Sequence, residues 1–574
     1  MALLSPPQTL PMLIVHKVVE YLAGEYLAGN SKSSYSLFSS NYYKRKAILA
    51  PLVLVGGRWC VAALASICDT CELNFSHARE AIDVTFPAWP DTIPYSMYRK
   101  TRFVRRLRVH VNIWRELCDG TFCKVSDMSQ YENLSFPSVR TLELNLNGPA
   151  VDSAILSSGQ SSPTPTSEIG REQVASVAQA LRRLVPMADS LDVRVRSMGH
   201  REPSFEQLHE WLAAELCYGR VSSFAIGCRI NNYIMLPTLS NITGLTSIAH
   251  GGNVSGSPLA RLAYLNAGTL KALDIWTQEG DWLDLIFDDA NVPMVYTELV
   301  SLKLELEVIP YGTAWTAIET VVPFPALETL DIYGGYPFDD DLLFRGNGGT
   351  LRNMRLPFSA LCRNVLGRFN VLKRSGVTRM SSIRISGVFD TDNEFVTANA
   401  DIPFKKQVHR ILEMSSSLAL LGDSSDDRLF YSVLSAPKPA ILQRLDIGNL
   451  LLNAVEVMEV VAAIPSLSSL RCRFDGYGQA IVSIPAKERP SGLHAKYYPL
   501  SQNFRTLTPV HYPDCSAKVV AHVAMLLAVV CPSFRAVEVP LKLREDFGRE
   551  IAWCMINNTY KPYADRLKTL IYLK

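Results

Sequence analysis

The chain has 574 residues, a net charge of +2, 48% hydrophobic and 20% charged residues. This composition excludes an intrinsically disordered protein, because the apolar content is enough to build a large buried core. A net charge so close to zero excludes a general attraction to nucleic acid or to acidic membranes.

The twelve cysteines are scattered from Cys60 to Cys554. In so long a chain they do not form a disulfide framework, and they indicate a reducing compartment. The N-terminus lacks a basic region before its apolar residues, and prolines interrupt them, so we predict no signal peptide. The longest apolar run, Val519–Cys531, has 13 residues, whereas a membrane-spanning helix needs about 20. We therefore expect no membrane span and a cytoplasmic and/or nuclear location.

The first predicted element is a helix over residues 9–24, with Thr9 as its N-cap, Pro11 in its first turn and Gly24 at its end. Its apolar residues follow helical spacing. A Ser- and Tyr-rich loop comes next. A second helical stretch then runs from about residue 43 to residue 68.

These first residues resemble an F-box, and with the repeats that follow they resemble divergent fungal F-box/leucine-rich-repeat proteins. The family opens with Leu-Pro, continues with an aliphatic helix and closes on Leu-x-x-Val-Cys-Lys-x-Trp. The positions that match are Leu10, Pro11, Ile14, Leu52, Val55 and Trp59. Gly56 and Gly57 stand where the family has Cys and a basic residue, and 29 residues separate Leu22 from Leu52.

The resemblance implies a non-enzymatic substrate receptor that links a target protein to a ubiquitin ligase. In that role, the six matching residues would bind a Skp-type adaptor, which would connect the chain to a cullin ligase. An alternative from the residues alone is that the helices only cap the first face of a repeat array, as such arrays require. The chain would then be a repeat scaffold without a role in ubiquitin transfer.

The pattern φ-x-x-φ-x-φ, with φ apolar, recurs from residue 139 to the C-terminus. The clearest copies are Leu327–Ile332, Leu270–Ile275 and Leu442–Ile447. Seven consecutive copies start at residues 221, 245, 270, 299, 327, 351 and 380, so that 24 to 29 residues separate neighbours. Leucine-rich repeats have this strand pattern at this spacing. Further copies start at residues 139, 442, 467, 534 and 567.

Helical segments alternate with these strands, for example at residues 167–185, 258–265, 452–464 and 517–531. Alternating strands and helices predict an α/β fold, an irregular leucine-rich-repeat horseshoe with parallel strands. We expect an F-box-like helical segment over 1–75, a connecting segment with the first strand over 76–138, and a degenerate repeat array over 139–574. Wider gaps between residues 142 and 221, and between 380 and 442, indicate insertions or poorly marked repeats.

No constellation of residues predicts catalysis or a cofactor. Cys68 and Cys71 have the spacing of half a zinc site, but tight spacing in both halves is typical and Cys118 and Cys123 lie further apart. An acidic run at 390–394 lacks the Gly and Glu of a calcium loop. Gly346–Gly349 lacks the Lys-Ser/Thr of a phosphate-binding loop. We therefore predict neither an enzyme nor a metal site.

One basic cluster, Arg99–Arg108, has apolar residues interleaved with its cations. It could contact nucleic acid, but the interpretation we favour is the polar face of the first strand, docked on acidic groups of the helical cap.

Side chains that alternate with the core residues of each strand should face a partner. Their mixture of charges and aromatic rings suits a protein surface better than a polyanion. We predict a partner-binding concave face formed by Glu143, Asn145, Asp274, Trp276, Lys303, Glu305, Asp331, Tyr333 and Arg355. The sequence does not identify the target protein.

Overall fold

The structure is a computed structural model, and it divides into two compact units. Unit 1 comprises Met1–Leu270 with Asp274–Val292, and unit 2 comprises Lys271–Leu273 with Pro293–Lys574. The residues that the structure describes are 15, 18–19, 52, 57–67, 69–76, 81–85, 100–111, 121–128, 131, 134–147, 167–196, 211–217, 221–228, 241–251, 258–277, 285, 294–306, 321–334, 349–357, 380–389, 411–424, 434, 441–474, 499–510, 517–539 and 544–556.

Seven strands among the described residues of unit 1 pair in the order β2-β1-β3-β4-β5-β6-β7. The first pair is antiparallel and all the later pairs are parallel. The strands are β1 Thr70–Ser76, β2 Ala81–Thr85, β3 Arg106–Val111, β4 Thr141–Asn147, β5 Ser190–Arg196, β6 Ser223–Cys228 and β7 Ser247–Gly251. Its helices are α1 Gly57–Ile67, α2 Thr121–Ser126, α3 Ser167–Leu184 and α4 Pro258–Leu265, and β8 Ala272–Thr277 follows them in the chain.

The described residues of unit 2 form nine strands that pair in chain order, and each of these pairs is parallel. They are β9 Ser301–Leu306, β10 Thr329–Gly334, β11 Asn353–Pro357, β12 Ser382–Phe389, β13 Ser417–Ser424, β14 Arg444–Leu452, β15 Ser469–Phe474, β16 Thr506–Pro509 and β17 Ala536–Val537. The helices include α5 Ala454–Ala463, α6 Ala517–Val530 and α7 Arg544–Ile556. The α/β class is confirmed, and the mostly parallel strands within each unit are compatible with the predicted solenoid.

A repeated backbone contact links neighbouring repeats. The carbonyl that precedes one strand accepts two N–H groups from the start of the next. In unit 1 the Asp189 oxygen accepts from Ser222 N at 2.8 Å and Ser223 N at 3.2 Å. In unit 2 the Glu328 oxygen accepts from Arg352 N and Asn353 N, both at 2.9 Å. This contact satisfies the polar groups of the turn that leads into each strand.

The core lies on one face of each strand. In β10 and the turn before it, Leu327, Leu330 and Ile332 are fully buried, while Asp331 and Tyr333 are half-buried on the opposite face. Burying a leucine or isoleucine side chain contributes about 1.5–3 kcal/mol, so the three apolar positions of each repeat explain why the pattern recurs.

Most of the predicted repeat strands that lie among the described residues are confirmed, including β4, β6, β9, β10, β11 and β14. Among the described strands, β1, β2, β13 and β16 were not predicted, and β13 fills the wide gap between residues 380 and 442. The prediction that residues 1–75 are helical is wrong at its end, because β1 begins at Thr70. The structure does not show a helical F-box, because most of residues 1–56 lie outside the described residues. The predicted terminal strand at 567–572 also lies outside them.

The N-terminus of α5 carries a capping box. The Asn453 side chain accepts from Val455 N at 2.9 Å and from Glu456 N at 3.0 Å. Glu456 Oε2 in turn accepts from Asn453 N at 2.8 Å. These bonds satisfy backbone N–H groups that have no partner within the helix.

Replacing Asn453 with alanine is therefore expected to lower the free energy of unfolding by about 1 kcal/mol. Urea denaturation of the full chain measures the change. Val455→Ala is the matched control, since Val455 lies in the same turn with 43% of its surface exposed. Equal losses from the two variants would contradict the capping role.

Among the described residues, no helix is both long and apolar enough to cross a membrane. The most apolar helix, α6, has 14 residues, and eleven of them are buried in the core of unit 2, as the predicted 517–531 helix requires.

Candidate partner-binding face

The polar face of unit 2 carries one row of side chains in register across eight strands, from β9 to β16. Each member is the Cα partner of the next in the parallel ladder. In order they are Lys303, Asp331, Arg355, Arg384, Ala419, Asp446, Arg471 and Thr508. Adjacent strands are about 4.8 Å apart, so neighbouring side chains of this row lie within contact distance.

Tyr333, two residues after Asp331, is the centre of an aromatic and cationic cluster. The Arg355 guanidinium carbon lies 4.1 Å from the centroid of the ring, and Lys303 Nζ lies 5.5 Å from it. Arg355 Nη1 also donates to the Tyr333 hydroxyl at 2.8 Å, and its Nε donates to Ser386 Oγ at 3.2 Å. Two hydrogen bonds and a ring contact therefore hold the guanidinium in one orientation.

Burial raises the pKa of the Tyr333 phenol above its ordinary value, although the positive charge of Arg355 opposes the shift. The phenol is therefore protonated at neutral pH. It accepts from Arg355 and keeps its own O–H as a donor.

The other end of the row is held by an ion pair. Arg471 Nη1 lies 3.3 Å from Asp446 Oδ2. Asp446 Oδ1 accepts from Gly448 N at 3.0 Å, which fixes the carboxylate. In the next strand, Thr508 Oγ1 donates to Glu538 at 2.9 Å.

The polar face of unit 1 is organised around Glu143, whose side chain is 3% exposed. Its two oxygens bind Arg108 Nε at 2.9 Å and Arg106 Nε at 3.2 Å. Arg108 also binds Glu72 through Nη1 at 2.5 Å. These two arginines belong to the basic cluster of the sequence, and its interpretation as a polar strand face is supported for them. The acids that they bind lie on strands β1 and β4 and not on helices of a cap.

The structure places the predicted partner-binding residues as follows. Lys303, Glu305, Asp331, Tyr333 and Arg355 are half-buried on the same face of unit 2. In unit 1, Asp274 is half-buried, whereas Glu143 and Asn145 are each 2% exposed. These two have little surface to offer a partner, because neighbouring strands cover them. The side chain of Trp276 lies outside the described residues.

Of the predicted adaptor-binding residues, Leu10, Pro11, Ile14 and Val55 lie outside the described residues. Leu52 is helical and half-buried. Trp59 lies on α1 and exposes only 8% of its surface, so its ring packs in the core. A role for any of the six in adaptor binding stays a prediction.

The part of the chain that the structure describes contains no group of three His, Cys, Asp or Glu residues that could hold a metal ion. Burial raises the pKa of the Cys71 thiol far above its ordinary value, and the neighbouring Glu72 adds to the shift. The neutral thiol of Cys71 is a poor metal ligand and nucleophile, because the thiolate performs both roles.

Sequence reasoning missed Arg384, Ser386 and Arg471. A signal for Arg384 was present, because it occupies the same position in the copy that starts at residue 380 as Asp331 does in its own copy. Arg471 has that position in the copy that starts at residue 467. Extending the face to every copy would have found both.

No family model matches the chain. No curated protein matches it either. Among solved structures, the chain is similar to one from the crystal structure of the Rad7 and Elc1 complex in yeast, at 12% identity and a TM-score of 0.27, over 80% of this chain and 88% of that one. We infer nothing about this chain's function from a likeness at that score.

Proposed function

We propose that the chain is a non-enzymatic protein-interaction module that binds its partner through the polar face of unit 2. The Tyr333–Arg355 contact is the observation that carries this proposal. Tyrosine and arginine are the residues most enriched where protein interfaces gain their affinity. Here both are held in place before a partner arrives, which reduces the entropy that binding costs.

We further propose that the module is an F-box-type substrate receptor, in which the N-terminal helices bind a Skp-type adaptor and so join a cullin ligase. The support is the sequence match from Leu10 to Trp59, together with two apolar side chains on that segment. Val18 is 37% exposed and Val61 on α1 is 42% exposed. Exposed aliphatic side chains of this kind form the apolar centre of protein interfaces.

The test is co-purification of the full chain with a co-expressed Skp-type adaptor. Replacing Val18 and Val61 with glutamate should abolish capture of the adaptor, because each change places a charge in an apolar interface. Trp59 is a poor probe, since its ring is part of the core. The thermal unfolding midpoint should stay within a few degrees of the wild-type value, because both side chains are exposed.

Met187→Glu is the matched control, because Met187 lies in unit 1 and is 51% exposed outside the N-terminal segment. This variant should retain the adaptor. No capture by the wild-type chain would favour the alternative of a repeat scaffold whose N-terminal helices only cap the array. Capture by the Val18/Val61 double variant would show that the adaptor does not bind through these two side chains.

A further inference from the structure

The charged row of unit 2 contains one pair of like charges side by side. Arg355 on β11 and Arg384 on β12 are Cα partners in the parallel ladder. Like charges directly opposite each other on a sheet face destabilise it. Elsewhere on the described polar faces, three arginines are paired with acids: Arg108 with Glu72 and Glu143, Arg194 with Asp192, and Arg471 with Asp446.

Arg384 differs from these three arginines in having no such pair. Its side chain is exposed, and none of the described residues forms an ion pair with it. Its next neighbour in the row is Ala419, whose methyl group leaves space above the sheet beside the guanidinium.

Arg355 is tied to β12, the strand that carries Arg384, through Ser386. Its Nε and Nη1 are engaged by Ser386 and Tyr333, which leaves Nη2 outside these two bonds. The cluster therefore presents a fixed guanidinium edge beside an exposed guanidinium. A single anionic group between them would remove the repulsion and accept charge-assisted hydrogen bonds from both.

We propose that Arg355 and Arg384 form the receptor for an aspartate or glutamate side chain, carried by an extended acidic segment of the protein partner. This inference rests on the proposed function and specifies the chemistry of its partner. An extended segment crossing the strands can place the carboxylate between the arginines, and the phenol O–H of Tyr333 is a further donor.

Two acids in the same row favour a carboxylate over a phosphate. Asp331 is the direct partner of Arg355, and Asp446 lies two strands beyond Arg384. Both repel a dianionic phosphate more strongly than a monoanionic carboxylate. The same acids oppose a nucleic-acid backbone, and Arg355 already covers one side of Tyr333, where a base would otherwise stack.

The experiment measures binding of fluorescein-labelled peptides to the full chain by fluorescence anisotropy at physiological salt. The probe is a peptide of about twelve residues in which glutamates alternate with serine and glycine, and its match has glutamine at every glutamate. Wild-type protein should bind the glutamate peptide about tenfold more tightly than the glutamine peptide, and Arg384→Glu should remove this difference. Arg384→Lys should retain most of it.

Arg535→Glu is the matched control, since Arg535 is an exposed arginine of unit 2 outside the row and the substitution changes the net charge equally. It should bind the glutamate peptide like the wild-type chain. Arg384→Glu should also raise the melting temperature, because it removes a like-charge neighbour, whereas an arginine with a structural role would lower it.

Equal binding of the two peptides by the wild-type chain, or equal losses in Arg384→Glu and Arg535→Glu, would overturn the inference. Tighter binding of a phosphoserine peptide or of an oligouridine would overturn the assignment to a carboxylate. Adaptor capture by the N-terminal segment is measured separately, so the proposed receptor role survives or fails independently of this site.

Discussion

Replacing Asn266 with alanine is expected to lower the free energy of unfolding of unit 1 by about 3 kcal/mol. Asn266 follows α4 and is 1% exposed. Its Oδ1 accepts from Leu245 N at 2.8 Å, and its Nδ2 donates to the carbonyls of Ile242 at 2.8 Å and Leu262 at 2.7 Å. Alanine would leave these groups without their partner, and each buried one costs about 1–3 kcal/mol.

Urea denaturation of the full chain, followed by the fluorescence or ellipticity of unit 1, measures this loss. Asn353→Ala is the matched control, because the Asn353 side chain is half-buried and its Nδ2 lies 3.5 Å from Thr329 Oγ1. We expect it to cost less than about 0.5 kcal/mol. A similar cost at both positions would show that Asn266 is not the connector between α4 and the turn before β7.

Asn266 also shows what the repeat pattern leaves out. Its role depends on three backbone groups up to 24 residues away, and no local periodicity marks it. The sequence predicts strands because each repeat must bury its apolar positions. It does not predict which polar side chain forms hydrogen bonds with the backbone groups of the turn between repeats, because a side chain at several positions could reach them.

The failure to predict β13 and β16 within the repeat array has a specific physical cause. Before β13, Ser415 occupies the first apolar position and is fully buried, so the copy lacks its leading φ. In β16 the last apolar position is Pro509, whose missing N–H is atypical of a strand interior. In both cases the segment becomes a strand because it pairs with a neighbouring strand, and the local sequence does not predict that pairing.

The polar face was predictable only in part. Alternation within a strand placed Lys303, Asp331 and Tyr333 on one face, and the structure agrees. The burial of Glu143 was not predictable, because the arginines that cover it belong to another strand, β3. Arg108 is the Cα partner of Glu143, although the two are 35 residues apart in the sequence. Position on a face follows from the local sequence, whereas exposure depends on the neighbouring strands.

Replacing Glu143 with alanine is expected to destabilise unit 1 by about 3 kcal/mol. The carboxylate is nearly inaccessible and neutralises Arg108, whose side chain is only 17% exposed. Without it, Arg108 retains Glu72 alone, and Arg106, which is 41% exposed, must turn to solvent. Removing one member of a buried charge network lowers the stability by more than the intact network adds to it, since the remaining charge is left poorly solvated.

The matched control is Asp192→Ala, because Asp192 is the Cα partner of Glu143 on β5. The side chain of Asp192 is 23% exposed and that of its ion-pair partner Arg194 is 34% exposed. We therefore expect the free energy of unfolding to fall by less than about 1 kcal/mol. A double variant, Glu143→Leu with Arg108→Leu, should be less destabilising than Glu143→Ala alone, because it leaves no buried charge without a partner. If the double variant is instead the less stable of the two, the ion pairs contribute net stability to unit 1, and the polar face holds its strands together by attraction as well as by burial of the core beneath it.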